Sequence, residues 1–164
     1  MKDRKNLFLL VIFIVFLAMV LPMVSVPVDI GQHSYTGGVY DPDTGEQLEA
    51  VTVELSGKRI YSLGRDHFDL EGDITIESES AQDTRALSMK ISETLGGWTY
   101  GRRYGAFDYG WNGYDSFDLA YRDKYSALVL PLQKDGSVLY LSAVEADSAQ
   151  TPQEALTDFL TAMG

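Results

Sequence analysis

An unbroken apolar run from Leu7 to Val24, entered behind Met1-Lys2-Asp3-Arg4-Lys5-Asn6, restricts this chain more than any other feature. As an α-helix its eighteen residues rise about 27 Å, close to the roughly 30 Å of a bilayer's hydrocarbon core. Secretory signals carry a shorter apolar stretch, about 7–15 residues. The exit Leu21-Pro22-Met23-Val24-Ser25-Val26-Pro27-Val28 also offers no good pair of small residues for cleavage. Residues 1–28 therefore read as an uncleaved signal anchor, a transmembrane helix, with a cleaved signal peptide as the alternative. The absence of cysteine excludes lipoprotein processing. Lys2, Arg4 and Lys5 lie before the run and Asp29 after it, so the positive-inside rule puts the N-terminus in the cytoplasm. Residues 29–164 are then extracytoplasmic, and residues 7–28 are the expected contact with the cell membrane.

About 135 residues follow the anchor, a normal size for one domain with one core. Of 13 basic and 24 acidic residues, three and one respectively precede Leu7, which leaves a net charge of −13 outside. A surface so acidic repels nucleic acid, anionic headgroups and acidic wall polymers. No nucleic-acid partner is expected. Without cysteine there are no disulfide staples, so the domain relies on its core, a habit of bacterial exported domains.

The exported part is patterned mainly as β-structure. A stalk over 29–38 leads into a first strand ending near Tyr40, and Asp41-Pro42-Asp43-Thr44-Gly45 has turn chemistry. Val51, Val53 and Leu55 alternate with polar residues, and a separate short strand is predicted over 59–63. Phe68, Leu70, Ile74 and Ile76 share one face of the next strand, interrupted by Gly72. Further strands are predicted at 87–91, 117–121, 128–132 and 138–143, the last two as a hairpin around Lys134-Asp135-Gly136. Thr151, Pro152 and Glu154 form a capping box ahead of a helix over 152–163 with an Ala155, Leu156, Phe159, Leu160, Met163 stripe. About eight short strands and one terminal helix point to an antiparallel β-sandwich or small barrel over 29–164.

Catalytic and metal signatures are thin. His33 and His67 have no metal-ligand spacing, and Asp41-x-Asp43-x-Gly45-Glu46 misses the calcium-loop pattern at positions 5, 6 and 12. His67 and Asp69 would share a strand face, more in keeping with a solvated rim than with proton transfer. Neither Gly-x-Ser-x-Gly nor Ser-x-x-Lys occurs. No catalytic residue, metal site or cofactor is assigned.

Residues 96–117 hold six glycines and eight aromatics. Trp98, Tyr100, Tyr104, Tyr109, Trp111 and Tyr114 are candidate stacking platforms for sugar faces, with Arg102 and Arg103 available for a carboxylate or phosphate. The competing reading has these rings filling the core, with glycines making room.

Residues 40–57, from Tyr40-Asp41-Pro42-Asp43-Thr44-Gly45-Glu46 to Val51-Thr52-Val53-Glu54-Leu55-Ser56-Gly57, with Phe68-Asp69-Leu70, resemble a carboxypeptidase-regulatory-like β-sandwich repeat. Glu49-Ala50 and Asp66-His67 depart from that family's small pair and Asp-Gly. The order of anchor, strand 51–57, strand 68–76 and helix entry 142–155 resembles uncharacterised single-pass exported proteins of Gram-positive bacteria. That resemblance implies a location and a β-domain, and no activity. The expected function is non-enzymatic binding or structural support at the cell surface. The alternative is a carbohydrate- or cell-wall-binding module using 96–117, and the partner, glycan or protein, is left open.

Overall fold

The computed structural model describes residues 2–20, 24–62, 67–79, 81–103, 110–111, 114–116, 118–134 and 136–164. Helix α1 (Lys2–Val20) is followed by strands β1 (Ser25–Tyr40), β2 (Gln47–Ser62), β3 (Phe68–Ser78), β4 (Gln82–Leu95) and β5 (Trp98–Arg103). Then come β6 (Gly110–Trp111), β7 (Tyr114–Ser116), β8 (Asp118–Arg122), β9 (Ala127–Lys134), β10 (Ser137–Glu145) and helix α2 (Pro152–Met163).

The sheet closes on itself in the order β10-β1-β2-β3-β4-β5-β8-β9, with β9 returning to β10. Each neighbour in this ring is antiparallel. The short β7 continues the line of β8 along β9, and β6 pairs with β7. Of the sandwich and the barrel, the chain forms the barrel. Eight strands leave an interior just wide enough for side chains to fill. Tyr35, Val53, Leu55, Leu128, Leu132 and Leu141 fill it, all fully buried.

A second apolar layer lies outside the barrel wall. Alternation along β5, β8, β9 and β10 turns Trp98, Ala120, Val129 and Val144 outward, and α2 covers them with Ala155, Leu156 and Phe159. Phe159 meets the Trp98 ring edge-on at 5.5 Å between centroids. Arg122 ties the helix down through Asp158 (2.8 Å) and Gln150 (2.7 Å). Met163, assigned to the apolar stripe, is half exposed.

The capping box is present: Glu154 N donates to Thr151 Oγ1, and Thr151 N donates to the Glu154 carboxylate. Thr151→Ala is expected to cost about 1 kcal/mol, readable in urea denaturation. Hydrogen bonds from Thr151 hold the Glu154 carboxyl below its ordinary 4.5. A depressed folded value means the contribution is present above pH 4.5 and is lost as the pH falls through the folded value. Glu154→Gln should therefore flatten the stability–pH curve on its acid side.

The N-terminus corrects the expectation of a transmembrane helix. Among the described residues no helix is long and apolar enough to cross a membrane. Helix α1 covers Leu7–Val20 of the apolar run, fourteen residues or about 21 Å, and from Ser25 the chain is a strand. Its side chains from Leu7 to Val20 are exposed. Residues 25–28, assigned with the anchor, instead pair with Arg59–Ser62 of β2.

Two further boundaries differ. Residues 47–62 form one strand where two were expected, because Gly57 stays in the ladder, opposite Gly72. The Gly/aromatic stretch contains β5, whose hairpin with β4 turns at Gly96 (φ 57°) and Gly97 (φ 85°). Two consecutive positive φ values suit glycine and the tight hairpin turn.

Candidate binding site

Continuing the β2 alternation through Gly57 places Val51, Val53, Leu55, Arg59 and Tyr61 on one face. That face lines the barrel, so Arg59 points inward at the end where Phe68 and the β8–β9 connection converge. Its guanidinium lies 4.8 Å from the Tyr125 ring centroid, 5.3 Å from Phe68 and 5.8 Å from Tyr121. Nε donates to Tyr125 Oη at 2.6 Å and Nη1 to Tyr61 Oη at 3.4 Å. A guanidinium has five N–H donors, so three have no partner among the described residues. Among the described residues no carboxylate pairs with Arg59.

Two buried phenols lie around Tyr125. Tyr35 and Tyr121 are 0% and 2% exposed, and among the described residues the Tyr35 hydroxyl has no hydrogen-bond partner. A buried polar group left unmade costs about 1–3 kcal/mol. Burial pushes the Tyr35 hydroxyl well above the usual phenol range, helped by Glu145 and Tyr125 nearby. Burial first, then Tyr125, does the same for Tyr121. Both stay protonated donors at neutral pH. Burial works against the Arg59 cation, but hydrogen bonds to Tyr61 and Tyr125 outweigh it and hold its pKa above the ordinary value.

His33 completes the rim, its ring 5.0 Å from that of Tyr125. Its Nε2 is 2.8 Å from the Ile30 carbonyl oxygen, which can only accept, so Nε2 carries a proton. The 2.6 Å contact from Nδ1 to Glu145 Oε1 then needs a second proton, on the imidazole or on the carboxyl. Both ring nitrogens are engaged. His33 clamps β1 to the end of β10 and has no nitrogen left to act as a base.

The connection bearing Tyr125 is strained. Lys124 and Tyr125 have φ of 57° and 61°, a left-handed region that non-glycine residues enter at a cost. The Tyr125 ring stacks on Tyr121 at 4.4 Å, and packing there holds the conformation. Lys124 is exposed, so Lys124→Gly should relieve strain without touching the cluster. A gain of about 0.5–1 kcal/mol is expected in thermal unfolding.

The first half of β1 forms a lip at this end. Pairing with β10 begins only at Tyr35, so among the described residues 25–34 are paired with β2 alone. Val26 stands opposite Tyr61 and Val28 opposite Arg59, on the same inner face. An open groove of about 1110 Å³ lies along β1–β4 near Gly31, Gly57 and Gly72. There Lys58 already pairs with Glu71 at 3.8 Å, and the Asp29 carboxylate accepts from Gly31 N. Arg59 has more left to offer.

The residues singled out from sequence sit elsewhere. Trp98 is 2% exposed beneath α2, and Tyr100 is half-buried on the outer face, its hydroxyl donating to Asp118 at 2.5 Å. Arg102 and Arg103 fall on β5, Trp111 on β6 and Tyr114 on β7. Tyr104 and Tyr109 lie outside the described residues. Asp69 Oδ1, on β3, is buried with no hydrogen-bond partner among the described residues. Among the described residues no group of three or more histidines and carboxylates is placed to hold a metal. Sequence reading passed over Arg59 because the strand was broken at Gly57. Carrying the alternation on would have turned a cation into the barrel.

No protein-family model, no curated protein and no solved structure matches the chain.

Proposed function

We propose that this protein is a non-enzymatic binding module, working outside the cytoplasm, that takes its ligand at the Arg59 end of the barrel. One observation carries the binding role: among the described residues three N–H groups of the Arg59 guanidinium have no partner, at the end of the barrel where it packs against the Tyr121 and Tyr125 rings. Polar groups left unpaired at a barrel mouth are what a bound molecule would satisfy. Export is supported by Lys2, Arg4 and Lys5 ahead of the apolar segment, the basic n-region of a secretory signal. A binding role rather than catalysis fits His33, whose two nitrogens are both occupied.

A thermal-shift screen of a fragment library against the full-length chain tests the binding role. Compounds that raise Tm for the native protein and lose that effect in Arg59→Met are expected. A library in which no compound distinguishes the two proteins would count against it. For location, a reporter fused after Gly164 is expected to be active outside the cell, and a cytosolic signal would contradict that part.

A further inference from the structure

We infer that the ligand is a small amphiphile: a single oxyanion head of the carboxylate kind on an apolar body. This rests on the binding role proposed above and adds the chemistry of the ligand.

The head follows from Arg59. Its planar fork matches a carboxylate with two parallel hydrogen bonds. It has donors to spare, and among the described residues no carboxylate claims them. The nearby Glu145 is committed to His33 at 2.6 Å. The Tyr121 ring packs 5.8 Å from the guanidinium carbon.

The body follows from the lip. Val28 and Val26, each 46% exposed, continue the inner face outward from Arg59 for about 7 Å. Tyr61, 39% exposed, stands opposite Val26 and packs on Phe68 at 5.1 Å between centroids. An apolar strip thus starts at the cation and runs into solvent. An inorganic anion would leave the strip uncovered, and a neutral lipid would leave the guanidinium unmatched. The chain's net charge of −11 admits one negative charge far more readily than a polyanion.

The test is calorimetric titration of the full-length chain with octanoate, acetate, octanol and octylamine, all below their aggregation limits. Octanoate is expected to bind at least tenfold tighter than any of the others. The octanol titration also reports any uptake by the exposed α1, which has no reason to prefer a carboxylate. Arg59→Met should weaken octanoate at least fiftyfold, and Val28→Asp, at an exposed site that leaves the core intact, at least tenfold. Octanol or octylamine matching octanoate would overturn the inference, as would octanoate binding unchanged in Val28→Asp. Binding to phosphatidylglycerol vesicles without binding of monomeric octanoate would overturn it too. If neutral or cationic fragments depend on Arg59 while octanoate does not bind, the ligand class fails and the binding role stands. If nothing depends on Arg59, both fail.

Discussion

Gly72→Ala is expected to destabilise the protein by about 3 kcal/mol or more, at the upper end of what overpacking costs. Gly72 on β3 faces Gly57 on β2, and the strands approach so closely there that neither position has room for a side chain. A Cβ on Gly72 would lie 1.9 Å from the Ser56 carbonyl oxygen and 2.6 Å from the Gly57 Cα. Both are backbone atoms, so no rotamer change relieves the clash. The two strands must part, opening the wall between Arg59 and the rest of the barrel. Urea denaturation followed by circular dichroism measures the loss. A change below 1 kcal/mol would mean that β2 and β3 are not packed as described.

Phe159→Ala is the second large effect, expected to cost about 3–5 kcal/mol. The ring is 3% exposed and is shared between two partners, Trp98 on β5 and Tyr140 on β10. Truncation removes the apolar contact that spans β5 to β10 and leaves a void no neighbour can fill. Exposed positions on the same helix, such as Thr157, should tolerate alanine with little change, and thermal unfolding of the pair of variants separates packing from helix propensity. Equal losses at the two positions would contradict an outer core sealed by α2.

Much of the barrel could be read from alternation. The strands around 51–56, 68–77, 128–132 and 138–143 and the capped helix at 152–163 are all present, because period-two burial and cap chemistry are local signals. Closure was not legible. It depends on β10 meeting β1 through pairs such as Gly37–Ala143, a contact more than 100 residues apart in the chain. The apolar run misled for a related reason. Its composition suited an anchor over residues 1–28, but Ser25–Asp29 pair with Lys58–Ser62, which makes residues 25–28 part of a strand.

The site was hidden for a different reason. Trp98 drew attention as a large ring among glycines, and the structure places it against Phe159 in the outer core. Arg59 sits in a segment that looked like ordinary exposed strand. Its partners are Tyr61 on β2, Phe68 on β3, Tyr121 on β8 and Tyr125 in the β8–β9 connection, and no motif of adjacent residues can announce such a cluster.

The most direct measurement is ¹H–¹⁵N NMR of the arginine Nε–H signals in the full-length chain, with the Arg59 signal assigned by its loss in Arg59→Lys. The account predicts one downfield, slowly exchanging signal from the hydrogen bond to Tyr125, which moves as ligand is added while the other arginines stay still. A solvent-averaged Arg59 signal that no added compound shifts would contradict a binding site at this end of the barrel.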